Sequence, residues 1–160
     1  MRTADWSLPN GHSVLSGAER IGRDRQLLMM ADHLVDPALV AAVARSPDAP
    51  LTLGIDRRLD NPLVDMDDVT RVKTDTDGAI VAIGKLIDDY DCFDTGVFAV
   101  GQAFFDALAG LDSPSLTEGV RILAAQDRAR VVDCSDLDWL DVDDAPAFAH
   151  AEGWMTRLAA

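Results

Sequence analysis

An α/β fold is predicted: a Rossmann-like mixed, mainly parallel sheet flanked by helices, with one inserted β-hairpin. Three stretches of the 160-residue chain predict it. The first, Gln26-Leu-Leu-Met-Met-Ala31, is apolar on both faces of any strand it could form, which is the pattern of a central strand covered by helices on both sides. In the second, Asp36-Pro37 offers an N-cap followed by proline at the first helical position. Residues 38–45 therefore predict a short helix, stopped by Ser46-Pro47 and followed by an apolar strand over 51–55. Strand, helix and strand in this order form a βαβ unit. The third is Asp77-Gly78, a hairpin turn signal between runs over 69–73 and 79–83 that alternate or stay apolar.

The remaining elements follow in order. Residues 93–100 predict a strand and 102–109 a helix closed by Gly110. Ser115-Leu-Thr-Glu118 has capping-box spacing and opens a helix reaching about residue 126. Short strands are predicted over 129–134 and 139–142, and a last helix over 146–158. No repeat, low-complexity tract or linker divides the chain, so residues 1–160 are expected to form a single domain.

Composition narrows the function classes. A chain of this size buries roughly 70% of its unfolded surface, and with 48% hydrophobic residues it can hold a core without metal or disulfide staples. With 28 acidic residues against 14 Lys and Arg, the net charge of -14 repels a polyanion that brings no cation, which disfavours nucleic acid as a partner. Cys92 and Cys134 stand far apart with no CxxC, so buried free thiols are expected rather than a zinc site or a disulfide. The first eleven residues contain one arginine and no apolar run, and no segment approaches the ~20 apolar residues of a membrane span. A cytoplasmic protein without membrane insertion is expected.

In an α/β sheet, ligands sit beyond the carboxyl ends of the strands. Asp32 follows one apolar strand, and Asp141 and Asp143 follow the Asp138-Trp139-Leu140 stretch. Carboxylates from the ends of separate parallel strands can hold Mg²⁺, which takes one or two carboxylates together with phosphate oxygens and water. Asp144 reads as a helix cap instead. Asp75-Thr76-Asp77-Gly78 imitates a calcium loop, but Lys73 would stand at its first position and Gly84 at its twelfth. Asp65-Met66-Asp67-Asp68 reads as a solvated loop, and Asp88-Asp89-Tyr90-Asp91 as an acidic turn. Lys85, following Gly84 at the end of an apolar run, suits a phosphate; on spacing alone, a solvent-facing lysine balancing Asp88 and Asp89 fits as well. His33 could bind substrate or move a proton, with an orienting hydrogen bond the favoured role. Thr95-Gly96 after Asp94 is a place where backbone could approach a ligand closely, although a lone strand glycine more often marks a bulge or a packing accommodation. There is no G-x-S-x-G, and no G-x-G-x-x-G after a strand.

Six pieces also occur in a familiar order: Asn10-Gly11-His12-Ser13-Val14-Leu15, Met30-Ala31-Asp32-His33, Asp65-Met66-Asp67-Asp68, Ile83-Gly84-Lys85, Asp94-Thr95-Gly96-Val97-Phe98 and Trp139-Leu140-Asp141-Val142-Asp143. Together they resemble the nucleotidyltransferase superfamily of sugar-phosphate NTP transferases, and most of all its inositol-1-phosphate cytidylyltransferase branch. The resemblance spans almost the whole chain and implies a fold of the nucleotide-diphospho-sugar transferase type. It implies transfer of a nucleotidyl group from an NTP, CTP in this branch, to a phosphorylated alcohol such as inositol 1-phosphate, with Mg²⁺ as cofactor and pyrophosphate released. By resemblance, Asp32 binds the metal together with Asp141 or Asp143. Lys85 holds the acceptor phosphate, His33, Asp94, Thr95 and Gly96 face the acceptor, and Asn10, Gly11 and Ser13 lie near the nucleotide.

The family's opening strand, glycine-rich loop and Pro-Lys-Pro-like segment have no match here, and Ala145-Pro146-Ala147-Phe148 replaces an acidic continuation. The chain therefore reads as N-terminally truncated, needing a complementing N-terminal polypeptide for activity. The alternative is a non-catalytic module that binds a sugar phosphate or a partner protein. In the family's sheet order, the strand over 26–31 would lose a neighbour, so self-association through that edge is also expected.

Overall fold

The computed structural model describes residues 7–22 and 24–158. The reading that no secretory signal begins the chain falls mostly on residues 1–6, outside the described residues. The elements run α1 (Asn10–Ile21), β1 (Gln26–Met29), β2 (His33–Val35), α2 (Pro37–Ala44), β3 (Leu51–Asp56), β4 (Arg71–Thr74) and β5 (Ile80–Gly84). They continue with β6 (Cys92–Val100), α3 (Gln102–Ala109), α4 (Leu116–Ala124), β7 (Ala129–Asp133), β8 (Trp139–Asp141) and α5 (Ala145–Leu158).

The spine of the sheet is β6, because its side chains are apolar on both faces. Cys92, Phe98 and Val100 enter one hydrophobic cluster, and Phe93, Val97 and Ala99 enter the other. This is the period-two sorting of a strand covered on both sides. Helices α3 and α4 close the first face with Phe104, Phe105, Leu108, Val120 and Leu123. Gly119 lets these two helices meet, since a Cβ there would lie 2.8 Å from both Leu108 and Phe104. Helix α2 closes the second face with Leu39 and Val43, both fully buried. It begins as expected: Asp36 Oδ1 accepts the Ala38 N–H at 2.7 Å, and Pro37 opens the first turn. Across from it Gly54 has no side chain to hold the helix off, and a Cβ would come within 2.9 Å of Val43.

The six-stranded sheet has the order β5-β4-β6-β3-β7, with β1 also paired to β6. The α/β class holds, but the balance of directions differs from the expectation. Among the described strands only β3 and β7 pair in parallel, whereas β1, β3 and β4 all run antiparallel to β6 and β4 runs antiparallel to β5. The βαβ unit therefore spans an intervening strand, with β1 and β3 on opposite sides of β6. Nor is β1 a central strand. It is four residues long, pairs only with β6 among the described strands, and leaves Leu27 and Met29 at 44% and 39% exposure. Apolarity on both faces reports that a strand is flanked, not in which direction its partner runs.

The hairpin of β4 and β5 turns at Asp75–Gly78, where Gly78 takes φ +75° and Asp75 Oδ1 accepts two loop N–H groups. The capping box at α4 is half formed. Ser115 Oγ accepts the Glu118 N–H at 3.2 Å, but the Glu118 carboxylate pairs forward with Arg121. Helix α1 and strand β2 were not foreseen. Strand β8 lies outside the main sheet, in a two-stranded ribbon with β2. Cys92 and Cys134 are buried free thiols, and burial pushes both up, Cys134 to about 11. No helix among the described residues is long and apolar enough to cross a membrane.

Candidate active site

The ribbon assembles the acidic cluster. His33 stands opposite Asp141 in the antiparallel register, and the Val142 N–H donates to the Asp32 carbonyl at 3.0 Å. Asp32, His33 and Asp141 thereby bring potential ligand atoms within 4.8 Å of one another. Asp141 belongs to a second such group with Asp68 and Asp143. The carboxylates thus do not come from the ends of two parallel strands, as expected. They come from the link between β1 and β2 and from the antiparallel ribbon that follows it.

His33 is held from three sides. Its Nδ1 lies 2.9 Å from the Thr95 carbonyl, which can only accept, so Nδ1 carries the proton. Its Nε2 then faces Asp141, whose Oδ2 is 3.5 Å away. A ring nitrogen facing a carboxylate is satisfied by a proton or a cation placed between them. The ring stacks on Trp139, with centroids 5.9 Å apart and planes 25° from parallel. Gly96, at φ +77°, makes room on the remaining side, where a Cβ would sit 2.3 Å from Nδ1. The group the backbone approaches closely there is the His33 ring.

Trp139 is itself fixed by a buried carboxylate. Its Nε1–H donates to Asp56 Oδ2 at 2.9 Å, and Arg58 and Asn61 donate to the same side chain. Burial alone would raise the Asp56 carboxyl, but the hydrogen bonds from Arg58, Trp139 and Asn61 outweigh it and hold Asp56 below the usual carboxylate range.

Asp94 behaves in the opposite way. Burial pushes it up to about 6, against the Gly96 N–H that its Oδ1 accepts at 2.7 Å and the attraction of His33. Asp141 is likewise raised, by burial first and then by Asp143, Asp32 and Asp68, with His33 opposing. Its Oδ1 is buried with no hydrogen-bond partner. A buried, unpartnered carboxylate oxygen among three other carboxylates is a donor that a hard cation would satisfy, so the residues present fit Mg²⁺.

These groups line one cavity of about 410 Å³. Asn10, Asp32, His33, Lys85, Asp94, Gly96, Asp141 and Asp143 all reach it, whereas Gly11, Ser13 and Thr95 do not. Gly11 packs on Pro114, where a Cβ would lie 2.5 Å from the carbonyl oxygen, and Ser13 is exposed. Thr95 is fully buried and donates its hydroxyl to the Gly54 carbonyl at 2.8 Å; it acts on the cavity only through its own carbonyl on His33. Asn10 Oδ1 accepts the Leu116 N–H at 3.0 Å and so ties α1 to the start of α4. Asp144 accepts the Ala147 N–H at 2.7 Å, the capping role expected of it.

Lys85 does not balance Asp88 or Asp89. Its Nζ lies 2.5 Å from Asp68 Oδ1, while Asp89 is taken by Lys73 at 2.7 Å. Asp68 is the residue missed by reading 65–68 as a solvated loop. The hairpin gives a partial signal: with Arg71 opposite Gly84, Lys85 leaves β5 at the end where the loop over 65–70 enters β4.

No family model matches the chain. By sequence it is similar to two proteins described as "Bifunctional IPC transferase and DIPP synthase". That of Archaeoglobus fulgidus is 27% identical over 84% of this chain, and that of Aquifex aeolicus 25% identical over 94%. The chain spans about a quarter to a third of their length, 26% and 33%. Among solved structures, the inositol-1-phosphate CTP transferase from T. maritima matches with a TM-score of 0.78 at 23% identity, over 88% of this chain and 58% of that one. A glucose-1-phosphate thymidylyltransferase from Bacillus anthracis, described as putative, has a TM-score of 0.75 at 12% identity, over 96% of this chain and 63% of that one. A UDP-glucose pyrophosphorylase has a TM-score of 0.74 at 13% identity, over 98% and 65%.

The fold is that of the nucleotide-diphospho-sugar transferase structures it matches. In sequence, the similarity runs to the two proteins described as IPC transferase and DIPP synthase.

Proposed function

We propose that this chain is one domain, the acceptor-side part of a cytoplasmic cytidylyltransferase that transfers a cytidylyl group from CTP to a phosphorylated alcohol such as inositol 1-phosphate and releases pyrophosphate. The observation that carries this reading is the meeting of Lys85 with the Asp32, His33, Asp141 and Asp143 cluster in one cavity. In it, Lys85 holds the acceptor phosphate as a compact point charge. Asp94, His33 and the backbone at Gly96 face the acceptor hydroxyls, with Thr95 fixing His33 from behind. Asn10 borders the nucleotide, with Gly11 and Ser13 beside it on α1.

An acceptor phosphate oxygen attacks the α-phosphorus in line, the bond to the bridging oxygen breaks, and pyrophosphate carries away the electron pair. The chain contributes positioning and charge rather than covalent chemistry. Asp32 and Asp141, with Asp143 and His33 adjacent, would hold Mg²⁺, which when bound neutralises the phosphate charge.

A second reading is favoured by one feature. Among the described residues that line the cavity, Lys85 is the sole lysine or arginine, set against seven aspartates. A triphosphate finds few donors there, which suits a sugar-phosphate-binding module, or an enzyme completed by a second polypeptide or a second copy. The test is pyrophosphate release from CTP and inositol 1-phosphate with Mg²⁺. Release that falls at least about a hundredfold in Asp32→Asn and Lys85→Gln supports catalysis. Binding of inositol 1-phosphate without any release supports the module.

A further inference from the structure

We infer that Asp68 is a positioning residue: it holds Lys85 and releases it when a divalent cation enters the carboxylate group, so that cation and phosphate bind this cavity cooperatively. The inference deepens the reading of Lys85 as the phosphate-holding cation and rests on it.

One carboxylate has two possible partners. Asp68 Oδ1 lies 2.5 Å from the Lys85 ammonium, and Asp68 also stands within 4.8 Å of ligand atoms of Asp141 and Asp143. While Asp68 neutralises Lys85, an incoming phosphate meets a compensated charge in a chain of net charge -14. A cation that draws Asp68 toward Asp141 and Asp143 leaves the three Lys85 donors free for phosphate. Linkage makes the effect reciprocal, so phosphate that engages Lys85 returns Asp68 to the cation.

The geometry suits a switch rather than a lock. Both partners are about half exposed, 52% and 50%, and breaking such a pair shifts an equilibrium by only about two- to fivefold. Lys85 follows the last residue of β5 and Asp68 lies in the loop before β4, so the side chains can part without disturbing the ladder.

The test is a ³¹P NMR titration of the full chain with inorganic phosphate, with and without saturating Mg²⁺. It compares the wild type with Asp68→Asn, Asp67→Asn and Lys85→Gln. Without Mg²⁺, Asp68→Asn is expected to bind phosphate about two- to fivefold more tightly than the wild type, while Asp67→Asn, which removes the same charge one residue away, matches the wild type. Mg²⁺ should then improve phosphate binding less in Asp68→Asn than in the wild type. Asp68→Asn behaving like Asp67→Asn, or an equal Mg²⁺ effect in both proteins, overturns the inference.

Lys85→Gln separates the two levels. If it leaves phosphate affinity unchanged, the phosphate role of Lys85 fails and the inference falls with it. If it weakens binding while Asp68→Asn matches Asp67→Asn, only the Asp68 inference falls. The wild type alone gives a further readout. Mg²⁺ without phosphate should speed exchange of the Lys85 ammonium protons with water, and a rate unchanged by Mg²⁺ overturns the inference as well.

Discussion

Trp139 joins a buried carboxylate to the candidate site: its indole N–H lies 2.9 Å from Asp56 Oδ2, and its ring carries His33 on the other side. The pair connects the end of β3 to the β2–β8 ribbon, so a core interaction sets the orientation of a cavity side chain. Trp139→Phe keeps the stacking surface and removes one hydrogen bond to a charged group. It is expected to cost about 1.5–3 kcal/mol in urea unfolding. The same variant should broaden the His33 ring resonances, because the stacking platform loses its anchor.

Asp56 predicts a loss of stability in acid. Its folded pKa lies below the unfolded value, so its contribution is fully present above about pH 4 and is lost as pH falls through the lower folded value. Urea unfolding free energies measured from pH 6 down to pH 2 should fall across that window. Asp56→Asn should flatten the fall while lowering stability at neutral pH.

Asp94 has the opposite sign. Its folded pKa of about 6 exceeds the ordinary 3.8, so the folded state binds the extra proton and stability declines as pH rises from about 4 through 6. Asp94→Asn is expected to remove that slope. A carboxyl ¹³C titration that places Asp94 near pH 4 would falsify the assignment.

Gly96 predicts a steric effect. An alanine there combines a strained φ of +77° with a Cβ 2.3 Å from the His33 ring. Gly96→Ala should cost at least about 1–3 kcal/mol and displace His33 from the Thr95 carbonyl, which a chemical-shift change at His33 Nδ1 would report. Gly101→Ala, where the nearest atom to a Cβ is 3.8 Å away, serves as the mild control.

The outer edge of β1 predicts association. Leu27 and Met29 are exposed beside a backbone edge that no described strand pairs, an arrangement that invites another strand. Sedimentation at tens of micromolar is expected to show self-association that Leu27→Lys reduces. A monomer at all concentrations would remove this edge from consideration.

The sequence made some of this legible and concealed the rest for definable reasons. The hairpin, the Asp36-Pro37 helix start and the helix at Gln102–Ala109 are encoded locally, by turn and capping chemistry within a few residues. Helix α1 escaped notice because Gly11 and Gly17 dilute its pattern and Pro9, at its N-cap, offers no side-chain acceptor. Strand direction is not legible in the sequence because apolar faces do not encode polarity. Asp32 and Asp141 stood out by following apolar runs. Asp68 did not, because its ion pair joins a loop residue to a lysine 17 positions on, and that meeting exists only in the folded chain.

The β2–β8 ribbon joins residues 108 positions apart through strands only three residues long. Bringing such distant segments together costs chain entropy that so short a ladder repays poorly. The ribbon should therefore form late in folding and open before the main sheet does. A cation gripping Asp32 and Asp141 together would act as a removable staple across that opening. Its arrival should appear first as slower amide exchange at Leu34 and Leu140.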